Sequence, residues 1–265
     1  MAQAAGGQFI LRIEDIDRSR ARPKWESQIY DDLAWLGIRW PQSVTRQSER
    51  LGVYTAALDD LWRRGLLYKC TCTRADIAAA TTAPQEGAPL LGPDGVVYPG
   101  TCRPEHAHTP ATPRPTDAAL RLNMAEALRQ TGYIGAENTP LVFEEACHPD
   151  HRGRVCATGQ DLLRDVGDIV LARRDMGTSY HLSVVLDDAA QGITNVVRGA
   201  DLFEATLIHV VLQKLLALPT PLYHHHRLIR DDTGKRLAKR DDARAISLFR
   251  SEGLTPVDIR SIVGL

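Results

Sequence analysis

The stretch Asn195-Val-Val-Arg198-Gly-Ala-Asp201-Leu202, followed by the apolar run 203–216, decides how this chain is read. Residues 193–197 have the β-branched, apolar character of a buried strand. Residues 203–216 repeat apolar side chains at helical spacing, with Asp201 placed to cap the helix and Glu204 three residues on. A strand that turns directly into a helix is the unit of an open α/β sheet, and ligands of such sheets bind where the strand ends. Arg198 stands at that point, where its guanidinium fork can grip a carboxylate at both oxygens; taken alone, it could equally serve a structural ion pair.

Moving outward, strand-like segments are expected at 118–123, 141–145, 168–172 and 179–186, with 126–130 ambiguous. Near the front, 8–13 reads as a buried strand running into Glu14-Asp15-Ile16-Asp17. Carboxylates at such a strand end suit the binding of an ammonium group, or more plainly the capping of the next helix. That helix is expected over 22–36, with Trp25, Ile29, Leu33 and Leu36 as its apolar face. A second, over 49–64, buries Tyr54, Leu58, Leu61 and Trp62 and stops at Gly65, before a strand at 66–69. Eight prolines between 73 and 115 imply an irregular insertion. After Pro219 come a strand at 222–229, a polar loop, and helices near 244–251 and 256–263. The pattern is that of an α/β core split by an insertion.

Composition narrows the function classes. With 43% hydrophobic and 25% charged residues the chain is globular, not disordered. No apolar run approaches the ~20 residues of a membrane span, so no membrane partner is expected. Thirty-two Lys and Arg against 33 Asp and Glu give a net charge of -1, so any nucleic-acid contact must come from local basic patches. Five cysteines without a secretory signal suggest thiols or metal ligands in a cytoplasmic protein. No obligate protein partner is evident.

Two further groups of residues could carry chemistry. Cys70, Cys72 and Cys102 would suit a tetrahedral zinc site if a fourth ligand joined them; His106 and His108 are ordinary candidates and Tyr98 a rarer one, and the bland alternative is three buried thiols. Cys147 and Cys156 read as plain thiols. Gly234-Lys-Arg-Leu-Ala-Lys-Arg240 packs four cations into a loop able to neutralise phosphates. His224-His225-His226 suggests metal by composition, but alternation along a strand sends neighbours to opposite faces, so it is discounted as a metal site.

These pieces occur in a telling order: Leu11-Arg-Ile-Glu-Asp-Ile-Asp17, Tyr68-Lys-Cys-Thr-Cys72, Tyr98-Pro-Gly-Thr-Cys102, Ser179-Tyr-His-Leu182, Val197-Arg-Gly-Ala-Asp-Leu202 and Lys235-Arg-Leu-Ala-Lys239. Together they resemble the catalytic core of class I glutamyl-tRNA synthetases, and more closely the family's short paralogues that act on tRNA(Asp). The resemblance implies a Rossmann-like core split by a zinc-bearing insertion and lacking an anticodon-binding domain. Along the chain this gives 1–69 as the first half of the core, 70–166 as the insertion, 167–218 as the second half, and 219–265 as the phosphate loop with a helical end. It also implies that the family's N-terminal strand and His-x-Gly-His segment are missing ahead of Glu14, so the chain would be N-terminally truncated and its own activity doubtful.

By the same resemblance Glu14, Tyr180 and Arg198 bind glutamate. Arg236, Leu237, Ala238, Lys239 and Arg240 match the family's K-M-S-K-S-type loop, with Lys239 as the catalytic, ATP-binding lysine. One structural Zn²⁺ is held by Cys70, Cys72, Tyr98 and Cys102. The implied activity is ATP-dependent activation of glutamate, with Mg²⁺, and transfer to the queuosine base of tRNA(Asp), met at its anticodon region. The alternatives are a fragment of a glutamyl-tRNA synthetase and a non-catalytic, zinc-stabilised tRNA-binding module.

Overall fold

The protein is described by a computed structural model covering residues 1–41, 43–82, 90–105, 112–230, 234 and 245–265. The chain forms two compact units, 1–50 with 228–265, and 51–227.

The smaller unit contains β1 (Arg12–Ile13), α1 (Pro23–Trp35) and β2 (Thr45–Arg46), with β1 and β2 pairing in parallel. The larger unit runs through α2 (Leu51–Arg63), β3 (Leu67–Cys70), α3 (Arg74–Thr82), β4 (Leu91–Gly92), β5 (Gly95–Val96), β6 (Ala119–Leu122), α4 (Met124–Gln130), β7 (Leu141–Glu145) and β8 (Gly153–Ala157). It continues with α5 (Gly159–Asp165), β9 (Val170–Ala172), α6 (Tyr180–Ala190), β10 (Asn195–Gly199), α7 (Thr206–Leu215) and β11 (Leu222–His226). The smaller unit then resumes with α8 (Ile246–Ser251) and α9 (Pro256–Val263).

In the larger unit, β10, β11, β7 and β8 lie in that order in one sheet, the first three parallel and β8 antiparallel to β7. A second sheet, β3-β6-β9, is antiparallel throughout. Helix α7 packs on β7, α6 and α4, and it is buried nearly all round through Ile208, Val210, Val211, Leu212 and Leu215. Its neighbours in the core include Leu58, Leu61, Phe143, Leu182 and Tyr223. This burial makes the continuous apolar run of α7 legible as an interior helix. Helix α2 ends at Gly65, whose φ of +72° is the left-handed value a helix terminus favours; the Leu66 N–H closes the turn on the Leu61 carbonyl.

Several local expectations are corrected. Residues 179–186 belong to a helix, not a strand: Ser179 accepts the Leu182 N–H as N-cap, and α6 is wedged against α2 and α7. Its apolar, β-branched run is the kind that periodicity cannot divide between a buried strand and a buried helix. Asp201 does not cap α7. Residues Ala200–Leu202 form a 3-10 turn, and the helix starts only at Thr206 with no side-chain cap. The ambiguous 126–130 stretch is the helix α4, capped by Asn123. The insertion is not wholly irregular, since α3 and the β4-β5 hairpin lie within it. The strand expected over 8–13 shrinks to two residues, and α1 has no buried residue, with Trp25 47% and Ile29 40% exposed. Among the described residues no helix is long and apolar enough to cross a membrane.

Candidate active site and metal centre

Arg198 is the last residue but one of β10, and its register partner on β11 is His225. The guanidinium is bound on three sides. Nε donates to His225 Nε2 at 3.0 Å, Nη1 to His209 Nδ1 at 3.1 Å, and Nη2 to both Thr206 Oγ1 at 2.7 Å and the Leu202 carbonyl at 3.2 Å. Of the five N–H donors of an arginine, these four bonds leave one Nη1 N–H. The fork expected to grip two oxygens is thus largely committed to the protein, and it presents a single donor to a ligand. The delayed start of α7 makes this possible, because Leu202 and Thr206 both turn toward the arginine.

Behind His225 stands Glu145, the last residue of β7. Its Oε1 accepts the backbone N–H groups of Cys147 (2.8 Å), His148 (2.8 Å) and His225 (3.0 Å), and its Oε2 accepts from His225 Nδ1. Both side chains are fully buried. Burial alone would push the Glu145 carboxyl up, but these donors hold it down at about 2. Burial and the Arg198 charge push His225 down, against the pull of Glu145, and the same two causes hold His209 far below its ordinary value. Tyr180, in the first turn of α6, places its ring 5.9 Å from His209, so the structure brings Tyr180 and Arg198 to the same imidazole.

Glu14 follows β1 in the smaller unit. Arg12 Nη2 donates to it at 3.4 Å, and it lines a cavity of about 840 Å³ with Arg12, Arg18, Arg22, Trp25 and Ser48. Neighbouring Asp15 is used structurally, accepting the Ser48 N–H at 2.8 Å and hydroxyl at 2.6 Å; Asp17 caps the turn at Ser19. The cationic loop with Arg236, Leu237, Ala238, Lys239 and Arg240, and the histidines His106 and His108, lie outside the described residues.

Cys70, Cys72 and Cys102 converge, their sulfurs all within 4.8 Å of one another. The Tyr98 hydroxyl oxygen is 3.3 Å from Cys72 Sγ and 3.6 Å from Cys70 Sγ, and Cys72 and Cys102 sulfurs are 3.4 Å apart. Zinc with bonds of ~2.3 Å to sulfur sets its sulfurs about 3.8 Å apart, so these donors are spaced for a single ion with small adjustments. Three soft thiol donors and one phenol oxygen also suit zinc chemically. Burial pushes the Cys102 thiol up, but hydrogen bonds from Tyr98 and Thr71 bring it to about 6, which favours the thiolate. Arg121 backs the cluster: Nε donates to Cys70 Sγ at 3.4 Å, the guanidinium lies 3.8 Å over the Tyr98 ring, and Nη1 donates to the Asp168 carbonyl at 2.8 Å. Asp168 is buried and also takes the Arg103 Nε–H at 2.7 Å and the Met124 N–H at 2.9 Å, which ties the Cys102 turn to the core.

The sequence reading missed Glu145, His209 and the role of His225. Alternation along 224–226 held the available signal, because it sends His225 toward Arg198 while His224 meets Cys147 Sγ at 3.5 Å and Asn195 Oδ1 at 2.9 Å.

Residues 1–93 and 143–265 match the family described as tRNA synthetases class I (E and Q), catalytic domain. The chain belongs to this class I tRNA synthetase family. Membership places it among ligases. The matched residues include Glu14, Tyr180, Arg198 and Glu145, while 94–142, with Tyr98 and Cys102, fall outside the family pattern. A Rhodobacter capsulatus protein named glutamyl-Q tRNA(Asp) synthetase is 60% identical over all of this chain and 91% of its own length. Proteins of the same name from Nocardia farcinica and Deinococcus radiodurans are 38% and 40% identical, over 99% and 96% of this chain and 75% and 76% of theirs. Among solved structures, a glutamate tRNA ligase from Elizabethkingia meningosepticum in complex with its amino acid aligns over 97% of the chain with a TM-score of 0.69 at 22% identity. The glutamate-tRNA synthetase of Elizabethkingia anophelis gives 0.70 at the same identity. The chain spans 54% and 55% of these two proteins, and the likeness is one of fold.

Proposed function

We propose that this class I synthetase activates glutamate with ATP and transfers it to the queuosine base of tRNA(Asp). The observation that carries the reading is the arginine at the carboxyl end of parallel β10, held on three sides, with one N–H left and with Tyr180 against His209, one of its partners. A cation so fixed at a strand end suits recognition of a carboxylate. The 60% identical relative that bears the glutamyl-Q name supports the choice of amino acid and acceptor.

In this reading a carboxylate oxygen of glutamate attacks the α-phosphate of ATP and pyrophosphate leaves. A hydroxyl of the queuosine cyclopentene ring then attacks the activated carbonyl, forming the ester, and AMP departs with the electron pair of the broken bond. Arg198 pairs with a substrate carboxylate, Tyr180 contacts the bound amino acid, and Glu14 takes the α-ammonium. Lys239 meets the ATP phosphates, where Mg²⁺ arriving with the nucleotide neutralises charge. Cys70, Cys72, Cys102 and Tyr98 would hold one zinc ion; four protein ligands leave no open position, so its role is structural. Basic residues such as Arg230 are suited to anticodon-loop phosphates.

The test supplies radiolabelled glutamate and ATP to the protein with tRNA(Asp) carrying queuosine and with tRNA(Asp) lacking it. Label is expected on the modified tRNA alone. Equal labelling of both would reject this reading in favour of ordinary aminoacylation, and no labelling of either would reject glutamate transfer.

A further inference from the structure

The bonds around Arg198 determine where the protons of three buried histidines sit. A guanidinium can only donate, so His225 Nε2 and His209 Nδ1 must both accept. An ionised carboxylate can only accept, so His225 carries its proton on Nδ1, where it meets Glu145 Oε2. His209, accepting at Nδ1, carries its proton on Nε2 and donates to His181 Nδ1 at 3.1 Å. His181 in turn carries its proton on Nε2, which points at Asp94 Oδ1, 3.6 Å away. The chain of contacts therefore runs from one carboxylate through a neutral imidazole to the cation, and onward through two neutral imidazoles to a second carboxylate. Each group has one consistent donor or acceptor role.

We propose that Glu145 and His225 are positioning residues for Arg198: the carboxylate fixes the imidazole as its Nδ1–H tautomer, and the imidazole's bare Nε2 aims the guanidinium at the substrate carboxylate. That this aim serves glutamate rests on the function proposed above. The tautomers do not. If His225 carried its proton on Nε2, two N–H groups would face each other across 3.0 Å and the arginine would turn away. Glutamine at position 145 cannot substitute for the carboxylate. Its amide nitrogen would confront either the three backbone N–H donors at Oε1 or the Nδ1–H at Oε2, and the second arrangement reverses the tautomer.

The test is long-range ¹H–¹⁵N NMR of the ¹⁵N-histidine-labelled protein near neutral pH, on the wild type and Glu145→Gln, with glutamate-dependent ATP–pyrophosphate exchange on both. The expected wild-type spectrum has His225 as Nδ1–H and His209 and His181 as Nε2–H, all neutral. In Glu145→Gln the His225 signal should leave the Nδ1–H class, and the KM for glutamate should rise about tenfold or more while that for ATP holds within about twofold. A wild-type His225 that is Nε2–H or cationic would overturn the proposal, even if the variant failed to fold. So would a folded Glu145→Gln with an unchanged tautomer and an unchanged glutamate KM. A wild type that shows the expected tautomers but no glutamate-dependent exchange would instead overturn the proposed function, leaving the relay established.

Discussion

Two buried polar clusters in the larger unit solve opposite problems. Around Arg198, every buried group finds a partner of the opposite hydrogen-bonding role: Glu145 accepts, His225 donates and accepts, the guanidinium donates, and His209 passes the pattern on. Such a cluster needs nothing added in order to be stable. Around Cys70, Cys72, Cys102 and Tyr98, four electron-pair donors converge, the three sulfurs within 4.8 Å of one another and the Tyr98 oxygen 3.3 Å from Cys72 Sγ. In the proposed function that convergence is what a cation would use. The first cluster is closed by donor and acceptor counting, whereas the second gathers soft donors of the kind that can hold a metal ion, although both would be called buried polar clusters.

The largest expected effect breaks the second cluster. Structural zinc in small domains contributes ~10–16 kcal/mol of apparent binding free energy, so Cys102→Ser should lose the metal and melt the turn that Arg103 ties to Asp168. Elemental analysis should give one zinc per wild-type chain and none for the variant; a metal-free wild type with an intact fold would reject the assignment.

Next comes Glu145→Ala, which leaves the backbone N–H groups of Cys147, His148 and His225 and the His225 Nδ1–H without their acceptor. Stranding buried donors costs about 1–3 kcal/mol, more where the lost acceptor is charged. Urea denaturation should show a fall of that size, whereas a loss below about 1 kcal/mol would mean that water replaces the carboxylate.

A third effect is graded with pH. His209 and His225 have depressed values in the fold, while in the unfolded chain they titrate near the ordinary value of 6.5. Above that value both states are neutral and the cluster's stability is fully present. As pH falls below it, the unfolded chain takes up protons that the fold refuses. Each imidazole then costs about 1.4 kcal/mol per pH unit until its folded value is reached. Arg198, His181, His148 and Glu145 face them, and of these Glu145, held at about 2, loses its own contribution only as pH falls below about 4.5. Urea midpoints measured at pH 7.5, 6.5 and 5.5 should decline, and a flat profile would contradict neutral histidines beside Arg198.

The smallest effect is Ser179→Ala, which removes the α6 cap bond to the Leu182 N–H at a cost of ~1 kcal/mol in a thermal melt. It sharpens the comparison, since Tyr180 directly follows this cap and its approach to His209 depends on where α6 begins.

What could be read from the sequence follows the same division. The convergence of Cys70, Cys72 and Cys102 was legible because these residues form a pattern in the chain, and the place of Arg198 because a strand, a turn and a helix surround it. The partners of Arg198 were not legible. Glu145 and His225 are 80 residues apart and meet only because β7 and β11 are neighbours in the sheet. A glutamate closing a short strand reads as exposed, and only the fold buries it. Helix α6 was misread for a related reason: packed against α2 and α7, it shows no polar face from which a period could be taken.

The central claim is that the arginine at the end of β10, aimed by its histidines, reads the carboxylate of glutamate. Glutamate-dependent ATP–pyrophosphate exchange without tRNA, comparing wild type with Arg198→Lys, tests it most directly. A lysine keeps the charge but cannot donate at once to His225, His209 and Thr206. Exchange by the wild type is therefore expected, with the variant losing at least ~2 kcal/mol, about thirtyfold in kcat/KM for glutamate. Equal kcat/KM for glutamate in the two proteins would contradict the claim and leave Arg198 a structural residue.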